Sequence, residues 1–191
     1  MHQRGSFYLV LVADGTPATD AAARTVRDLI DPGAIGRVSV VAVGSPVTLG
    51  NQWFVGMLGF VGVVPQALVD DLWERARAWA GAEAARVIRL LGEVAPMAVP
   101  VVRVGNPVEE VVAVTREWDA DLVVIGSERR EGMRHAARRD VAAEVMRAAT
   151  CPVLIVRADG GEPPVSGKRV PVVPWRLAKG AAVPVAAGVG A

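Results

Sequence analysis

The sequence is poor in several residue types whose scarcity limits what the protein can do. It has one cysteine among 191 residues, Cys151, so no disulfide can form within the chain, which suits a reducing compartment. It has two histidines and no clustered set of metal ligands, so we assign His135 neither a metal nor a catalytic role. A nucleophile elbow and a Walker-type loop are also missing. We therefore expect no enzymatic activity, no catalytic residues and no metal.

The chain also lacks a dominant charge sign and a long uninterrupted apolar run. Its net charge of +1 makes nucleic acid a poor partner. The N-terminal residues show no apolar segment followed by a small-residue cleavage site, so we expect a cytoplasmic location. Residues 53–64 are the most apolar part outside the predicted strands, yet shorter than the roughly 20 residues that a membrane span needs. An exposed apolar loop is costly, so we expect it to pack on a subunit, a membrane surface or transporter, or the chain's own tail.

Short apolar runs alternate with amphipathic helical patterns through most of the chain, and 52% hydrophobic residues are enough to form a core. The charge-free runs at residues 122–126 and 151–156 are typical of parallel strands covered on both faces. Right-handed crossovers then give an α/β doubly wound parallel sheet. The predicted strands are residues 7–13, 37–43, 98–104, 122–125 and 153–156, and the predicted helices are residues 17–30, 70–93, 107–118 and 141–148.

Two finer expectations concern the longest helix and the end of the chain. In the helix over residues 70–93, Trp73 falls in the apolar stripe and Glu83 falls on the charged, solvated face. Residues 159–191 are rich in Gly, Pro, Ala and Val without a period, which indicates a mostly irregular extension. The sequence therefore predicts one domain over residues 1–158 followed by a C-terminal extension over residues 159–191.

Four motifs, taken together and in order, resemble the universal stress protein family over roughly residues 7–157. They are Phe7-Tyr8-Leu9-Val10-Leu11-Val12-Ala13-Asp14-Gly15, Gly105-Asn106-Pro107-Val108-Glu109-Glu110, Asp121-Leu122-Val123-Val124-Ile125-Gly126-Ser127 and Cys151-Pro152-Val153-Leu154-Ile155-Val156. The resemblance implies a five-stranded doubly wound parallel sheet of order 3-2-1-4-5, the adenine-nucleotide α-hydrolase-like fold. It also implies a homodimer formed by pairing the last strands edge to edge.

The nucleotide motif of that family is altered in this chain. ATP-binding members carry Gly-x-x-Gly, nine further residues, and Gly-Ser or Gly-Thr. Aligned on Gly126, this chain has Arg129 at the second glycine and Arg139 and Asp140 at the final pair. Phosphate binding needs glycines for close backbone approach and a free helix N-terminus, and Asp140 is a natural cap for that helix. We therefore predict a dimeric stress-response or regulatory interaction module without normal ATP binding and without a cofactor.

Two alternatives remain open. In the first, the chain binds ATP or another adenine nucleotide (ATP or AMP) in an altered pose, using Asp14 and the arginine-rich loop 127–139. The resemblance implies that an aspartate at position 14 meets the adenine and ribose, although an Asp-Gly turn also explains this residue. In the second and weaker alternative, the chain regulates a membrane transporter by docking through residues 53–64. The candidate nucleotide-binding residues are Asp14, Val43, Gly126, Ser127, Arg129, Arg139, Asp140 and Val141.

Overall fold

The computed structural model describes residues 7–45, 66–128 and 140–158 of the chain. The predictions for residues 53–64, for Arg129 and Arg139, for most of the loop 127–139 and for the extension over residues 159–191 lie outside these described residues.

Strands and helices alternate through the described residues, as the sequence predicts. The helix predicted over residues 70–93 begins earlier than expected, at Gln66. It also ends earlier, because Gly92 with its positive φ and Pro96 divert the chain into a short 3₁₀ helix, Gly92–Met97. The elements are β1 (Phe7–Ala13), α1 (Pro17–Leu29), β2 (Ile35–Gly44), α2 (Gln66–Leu90), β3 (Ala98–Val104), α3 (Pro107–Glu117), β4 (Leu122–Ser127), α4 (Val141–Ala148) and β5 (Val153–Arg157).

Local chemistry explains where two of these helices begin. At α1 the Thr16 side chain accepts a hydrogen bond from the Thr19 amide, and proline occupies the first helical position. At α3 the Asn106 side chain accepts a hydrogen bond from the Val108 amide, and Pro107 is the first helical residue. Both starts agree with the sequence prediction, because capping depends on residues only two or three positions apart.

The five strands form one parallel sheet in the order β3-β2-β1-β4-β5, which confirms the expected topology. The central strand β1 pairs with β2, where Ala13 lies beside Ala42, and with β4, where Leu11 lies beside Val124. All strands run in the same direction, so their carboxyl ends meet at one edge of the sheet. That edge positions the candidate site.

Helices cover both faces of the sheet, so two apolar cores form. Leu9, Leu11 and Val40 point to the face that α1 and α2 cover. Val10 and Val41 point to the opposite face, which packs against α3 and α4. Successive strand side chains alternate between faces, so strands buried on both sides are apolar at nearly every position.

Glycines at the ends of β2 and β4 allow two helices to approach the sheet closely. A Cβ atom at Gly44 would lie 2.5 Å from the carbonyl carbon of Ala76 in α2. A Cβ atom at Gly126 would lie 2.5 Å from the carbonyl oxygen of Ala18 in α1. Real Cβ atoms do not approach other atoms this closely, so a side chain at either position would push a helix away from the carboxyl edge.

Two expectations for α2 are wrong. Trp73 is 44% exposed, because α2 already lies against the last residue of β2 at Ala76 and its earlier turns extend beyond the sheet. Glu83 is buried, at 7% exposure, because it lies on the flank of α2 that faces α1, where an arginine pairs with it. In the part of the chain that the structure describes, no helix is long and apolar enough to cross a membrane.

Candidate functional site

Candidate residues from three neighbouring strands lie at the carboxyl edge of the sheet. Asp14 follows the last residue of β1, Val43 lies one residue before the end of β2, and Gly126 and Ser127 end β4. In open parallel α/β sheets, ligands bind outside this edge, near the point where the strand order reverses. Here the reversal falls between β1 and β4. The fold therefore brings these four predicted residues to one edge.

Asp14 organises the turn between β1 and α1. Its Oδ1 atom accepts hydrogen bonds from the Thr16 amide at 3.0 Å, from the Thr16 hydroxyl at 2.7 Å, and from the Thr19 hydroxyl. The Asp14 amide in turn donates to the Thr19 hydroxyl oxygen at 3.2 Å. Its Oδ2 atom forms no hydrogen bond with any described residue, and the side chain is exposed. One oxygen thus serves the turn, and the other retains acceptor capacity for a ligand.

The turn that follows β1 packs against Trp79 of α2. Gly15 has a φ of +79°, a conformation that favours glycine. The Cζ2 atom of Trp79 lies 3.1 Å from the position that a Cβ of Gly15 would occupy. The indole, 36% exposed, therefore supports the backbone next to Asp14. Sequence reasoning missed this residue, because nothing local indicates that α2 packs beside the first turn of the chain.

Beneath Trp79, a charged cluster joins α2 to α1. The Arg86 guanidinium donates to both carboxylate oxygens of Glu83, at 2.8 and 2.7 Å, and lies 2.7 Å from Oδ1 of Asp20 in α1. The hydrogen bonds to Glu83, and then the nearby carboxylate of Asp20, raise the pKa of Arg86 above its ordinary value. The cluster holds the two helices together on the side of the site that carries Asp14.

Gly126 and Val43 have structural roles that do not depend on a ligand. The backbone of α1 occupies the space where a side chain of Gly126 would point. Val43 is 9% exposed and belongs to the core on the α3 and α4 face. Ser127 lies beside Arg157 in the register of β4 and β5. Neither Gly126 nor Val43 needs a nucleotide to explain its residue type.

Asp140 caps the last helix, as its sequence position predicts. Its Oδ1 atom accepts a hydrogen bond from the Ala143 amide at 3.2 Å. Val141 follows as the first helical residue and packs against the core on the α3 and α4 face. Glu144 adds a second carboxylate in the first turn. The partial positive charge of the helix N-terminus is therefore already matched by acidic side chains.

The described residues do not contain a group of three or more His, Cys, Asp or Glu side chains that could hold a metal ion. Cys151 is buried and packs within the core on the α3 and α4 face. What the edge offers is an exposed carboxylate at Asp14, a capped helix at Asp140 and two glycine-lined helix contacts.

The sheet order and the location of this edge define an α/β protein with the adenine-nucleotide α-hydrolase-like fold. A model of the universal stress protein family matches residues 61–157 of the chain. The chain belongs to the universal stress protein family, as its motifs indicate.

Solved structures share the fold at low sequence identity. The hypothetical protein MJ0577 is 18% identical with a TM-score of 0.54, over 82% of this chain and 99% of that one. The hypothetical protein PH0823 is 20% identical with a TM-score of 0.51, over 79% of this chain and 95% of that one. The universal stress protein UspA from Lactobacillus plantarum is 17% identical with a TM-score of 0.50, over 82% of this chain and 100% of that one. No curated protein matches the chain.

Proposed function

We propose that the protein is a non-catalytic, dimeric regulatory module of the cytoplasm that acts in stress response through protein contacts, without the normal ATP binding of its family. The observation that carries this proposal is the hydrogen bond from the Ala143 amide to Asp140 at the N-terminus of α4. In the family motif, Gly-Ser or Gly-Thr stands here, and the helix N-terminus is available to an anion. In this chain a carboxylate takes that place.

The electrostatic consequence for a phosphate is large enough to matter. Two unit charges about 4 Å apart repel by about 4 kcal/mol at an effective dielectric constant of 20. A charge-assisted hydrogen bond contributes about 1.5–3 kcal/mol, so the repulsion offsets one or two of them. Glu144, in the same helical turn, adds to the unfavourable field. These charges support a site that disfavours the triphosphate.

The test is the ATP affinity of the wild-type chain and of Asp140→Asn, measured by isothermal titration calorimetry. Asparagine caps helices about as well as aspartate, so the variant removes the charge and keeps the cap. We expect the wild type to bind ATP only weakly and the variant to bind it about tenfold or more tightly, equivalent to at least about 1.4 kcal/mol. Glu109→Gln, an exposed acid in the first turn of α3, serves as the matched control and leaves affinity unchanged.

Native mass spectrometry of protein purified from cells completes this test, because it reports subunit number and retained nucleotide together. A dimer without nucleotide is the expected result. A dimer that retains an adenine nucleotide would contradict the loss of binding, and a monomer would contradict the dimeric module.

The two edges of the sheet support a dimer formed through β5. The other edge strand, β3, contains Pro100, which lacks an amide donor, and proline is a common means of preventing edge pairing. The strand β5 has no proline, and its apolar residue Leu154 is 39% exposed. A second copy that pairs with β5 would cover this side chain and would form hydrogen bonds with the backbone N–H and C=O groups of the edge strand.

A second candidate function is binding of ATP or AMP in an altered pose, with Asp14 facing the adenosine part. The Oδ2 atom of Asp14 favours it, because this atom forms no hydrogen bond with a described residue and lies at the same edge as Gly126. Asp14→Asn tests this candidate well, because the amide oxygen can still accept the bonds from Thr16 and Thr19. Loss of nucleotide binding with little dependence on salt would support an adenosine pocket. Nucleotide binding that is unaffected by Asp14→Asn and is lost at high salt concentration would indicate a nonspecific anion site in the arginine-rich loop.

The proposed contact of residues 53–64 with a transporter or another protein stays a prediction. Deleting this segment should change the localisation or the partners of the protein in cells. Unchanged localisation and unchanged partners would contradict the prediction.

A further inference from the structure

The N-terminal half of α2 carries an exposed strip formed by Asp70, Trp73 and Glu74. These residues are three and four positions apart, so they share one face of the helix. Trp73 is 44% exposed, and both acids are exposed. The strip lies beyond the carboxyl edge, since Ala76 already contacts the last residue of β2. We call it the acidic tryptophan strip.

The acidic tryptophan strip is followed on the same face by the exposed Arg77, three positions after Glu74, so this face carries two carboxylates and one cation over residues 70–77. Asp70 accepts a hydrogen bond from the side-chain amide of Gln66 at 3.0 Å. Neither Asp70 nor Glu74 forms an ion pair with a described residue. The neighbouring Asp71 differs, because it pairs with Arg75 at 2.8 Å. Like charges four residues apart on a helix are unfavourable. An aromatic ring beside two such carboxylates is suited to a ligand that is both cationic and apolar.

We propose that residues 168–176 of the chain's own C-terminal extension dock on the acidic tryptophan strip. This segment has the sequence Lys168-Arg169-Val170-Pro171-Val172-Val173-Pro174-Trp175-Arg176. It has a Pro-x-x-Pro spacing with basic residues on both sides. Proline-rich segments of this kind bind to exposed aromatic side chains, and arginine pairs with carboxylates and stacks on indole rings.

The geometry of the chain permits this contact. The extension begins after β5, which ends at the same carboxyl edge beyond which the strip lies. From β5 to β3 there are four strand spacings, about 19 Å, and a helix layer adds about 10 Å. The nine residues before Lys168 span up to about 30 Å when extended. The extended segment is therefore long enough to reach the strip of its own chain.

Cysteine cross-linking in the full-length chain tests the proposal. With Cys151→Ala as the common background, the pair Glu74→Cys and Ala178→Cys is compared with Arg89→Cys and Ala178→Cys. Arg89 is an exposed residue of the same helix, distant from the strip. We expect the first pair to form an intramolecular disulfide about tenfold faster than the second, because docking raises the effective concentration of the two thiols. Mass spectrometry of the oxidised chain identifies the bond.

The variant Trp73→Ala, added to the first pair, should slow its cross-linking to the rate of the second pair. Equal rates for the two original pairs would overturn the proposal, as would a rate that does not respond to Trp73→Ala. Disulfides that form between chains at the strip would overturn docking within one chain and assign the strip to a second copy.

Discussion

Gly126 shows how one residue can meet a structural need at a place where a ligand is also expected. The backbone of α1 at Ala18 and Thr19 lies where a side chain would have to go. This demand exists with or without a nucleotide, which explains why Gly126 is present in a chain whose other motif positions are Arg129, Arg139 and Asp140. A glycine at this position is therefore not evidence of phosphate binding.

A pair of glycine substitutions tests this interpretation. In Gly126→Ala the new Cβ would lie 2.5 Å from the Ala18 carbonyl oxygen, so we expect a loss of about 1–3 kcal/mol in the free energy of unfolding. Gly81→Ala, in the middle of α2, meets only Val102 at 3.9 Å and should gain about 0.5–1 kcal/mol from helix propensity. Urea denaturation followed by circular dichroism measures both. Equal stability of the two variants would show that the close approach is not required.

Asp14 and Asp140 show that residue type alone does not distinguish a structural role from a ligand-binding role. Asp14 and Asp140 each lie before a helix, and each carboxylate accepts backbone hydrogen bonds from the start of that helix. An aspartate before a helix serves equally as a turn or cap residue or as a ligand residue, and for Asp14 the sequence leaves the turn and ligand roles open. The structure assigns one oxygen of Asp14 to the turn, which is why Asp14→Asn separates the two roles.

At the scale of elements, Arg86 adds a charged contact between α1 and α2 to the apolar core that they share. Arg86 pairs with Glu83, whose side chain is 8% exposed, and with Asp20, whose side chain is 31% exposed. Replacing Arg86 would therefore remove the cation from both carboxylates at once. Removing one partner of a buried pair costs more than the pair itself contributes, because the remaining charge stays desolvated.

The corresponding prediction compares two arginines of α2. Arg86→Met should lower the free energy of unfolding by about 1–3 kcal/mol, the smaller end reflecting the partial exposure of Arg86. Arg75→Met removes an ion pair whose side chains are 71% and 45% exposed, so we expect a loss below about 0.5 kcal/mol. Thermal and urea unfolding of both variants provide the comparison. Similar losses of unfolding free energy in the two variants would mean that the cluster around Arg86 stabilises the protein no more than an exposed surface ion pair does.

At the scale of the whole molecule, the sheet presents two edges with different chemistry. Leu154 on β5 and Val102 on β3 have nearly equal exposure, 39% and 36%. Their register partners, Val124 and Ala42, both belong to the core on the α1 and α2 face. They differ in the strand that carries them, since only β3 contains a proline. This pair of positions therefore isolates the effect of the edge from the effect of exposed apolar area.

Leu154→Lys should shift the proposed dimer toward monomer, with a dissociation constant raised by at least about tenfold, because a lysine on an edge strand opposes pairing. Val102→Lys should leave the dimer intact. Sedimentation velocity over a range of protein concentrations distinguishes the two. Dissociation by Val102→Lys, with Leu154→Lys still dimeric, would place the interface on the other edge.

The sequence by itself determined the parts of this protein that depend on near neighbours. Strand runs, helix starts at Thr16 and Asn106, and the cap at Asp140 follow from residues a few positions apart, and the family motifs supplied the strand order. Only the tertiary structure decided that Glu83 is buried, that Trp73 is exposed and that Trp79 supports the turn of Asp14. The physical reason is that burial depends on where a neighbouring strand or helix ends, and residues distant in the chain set that limit.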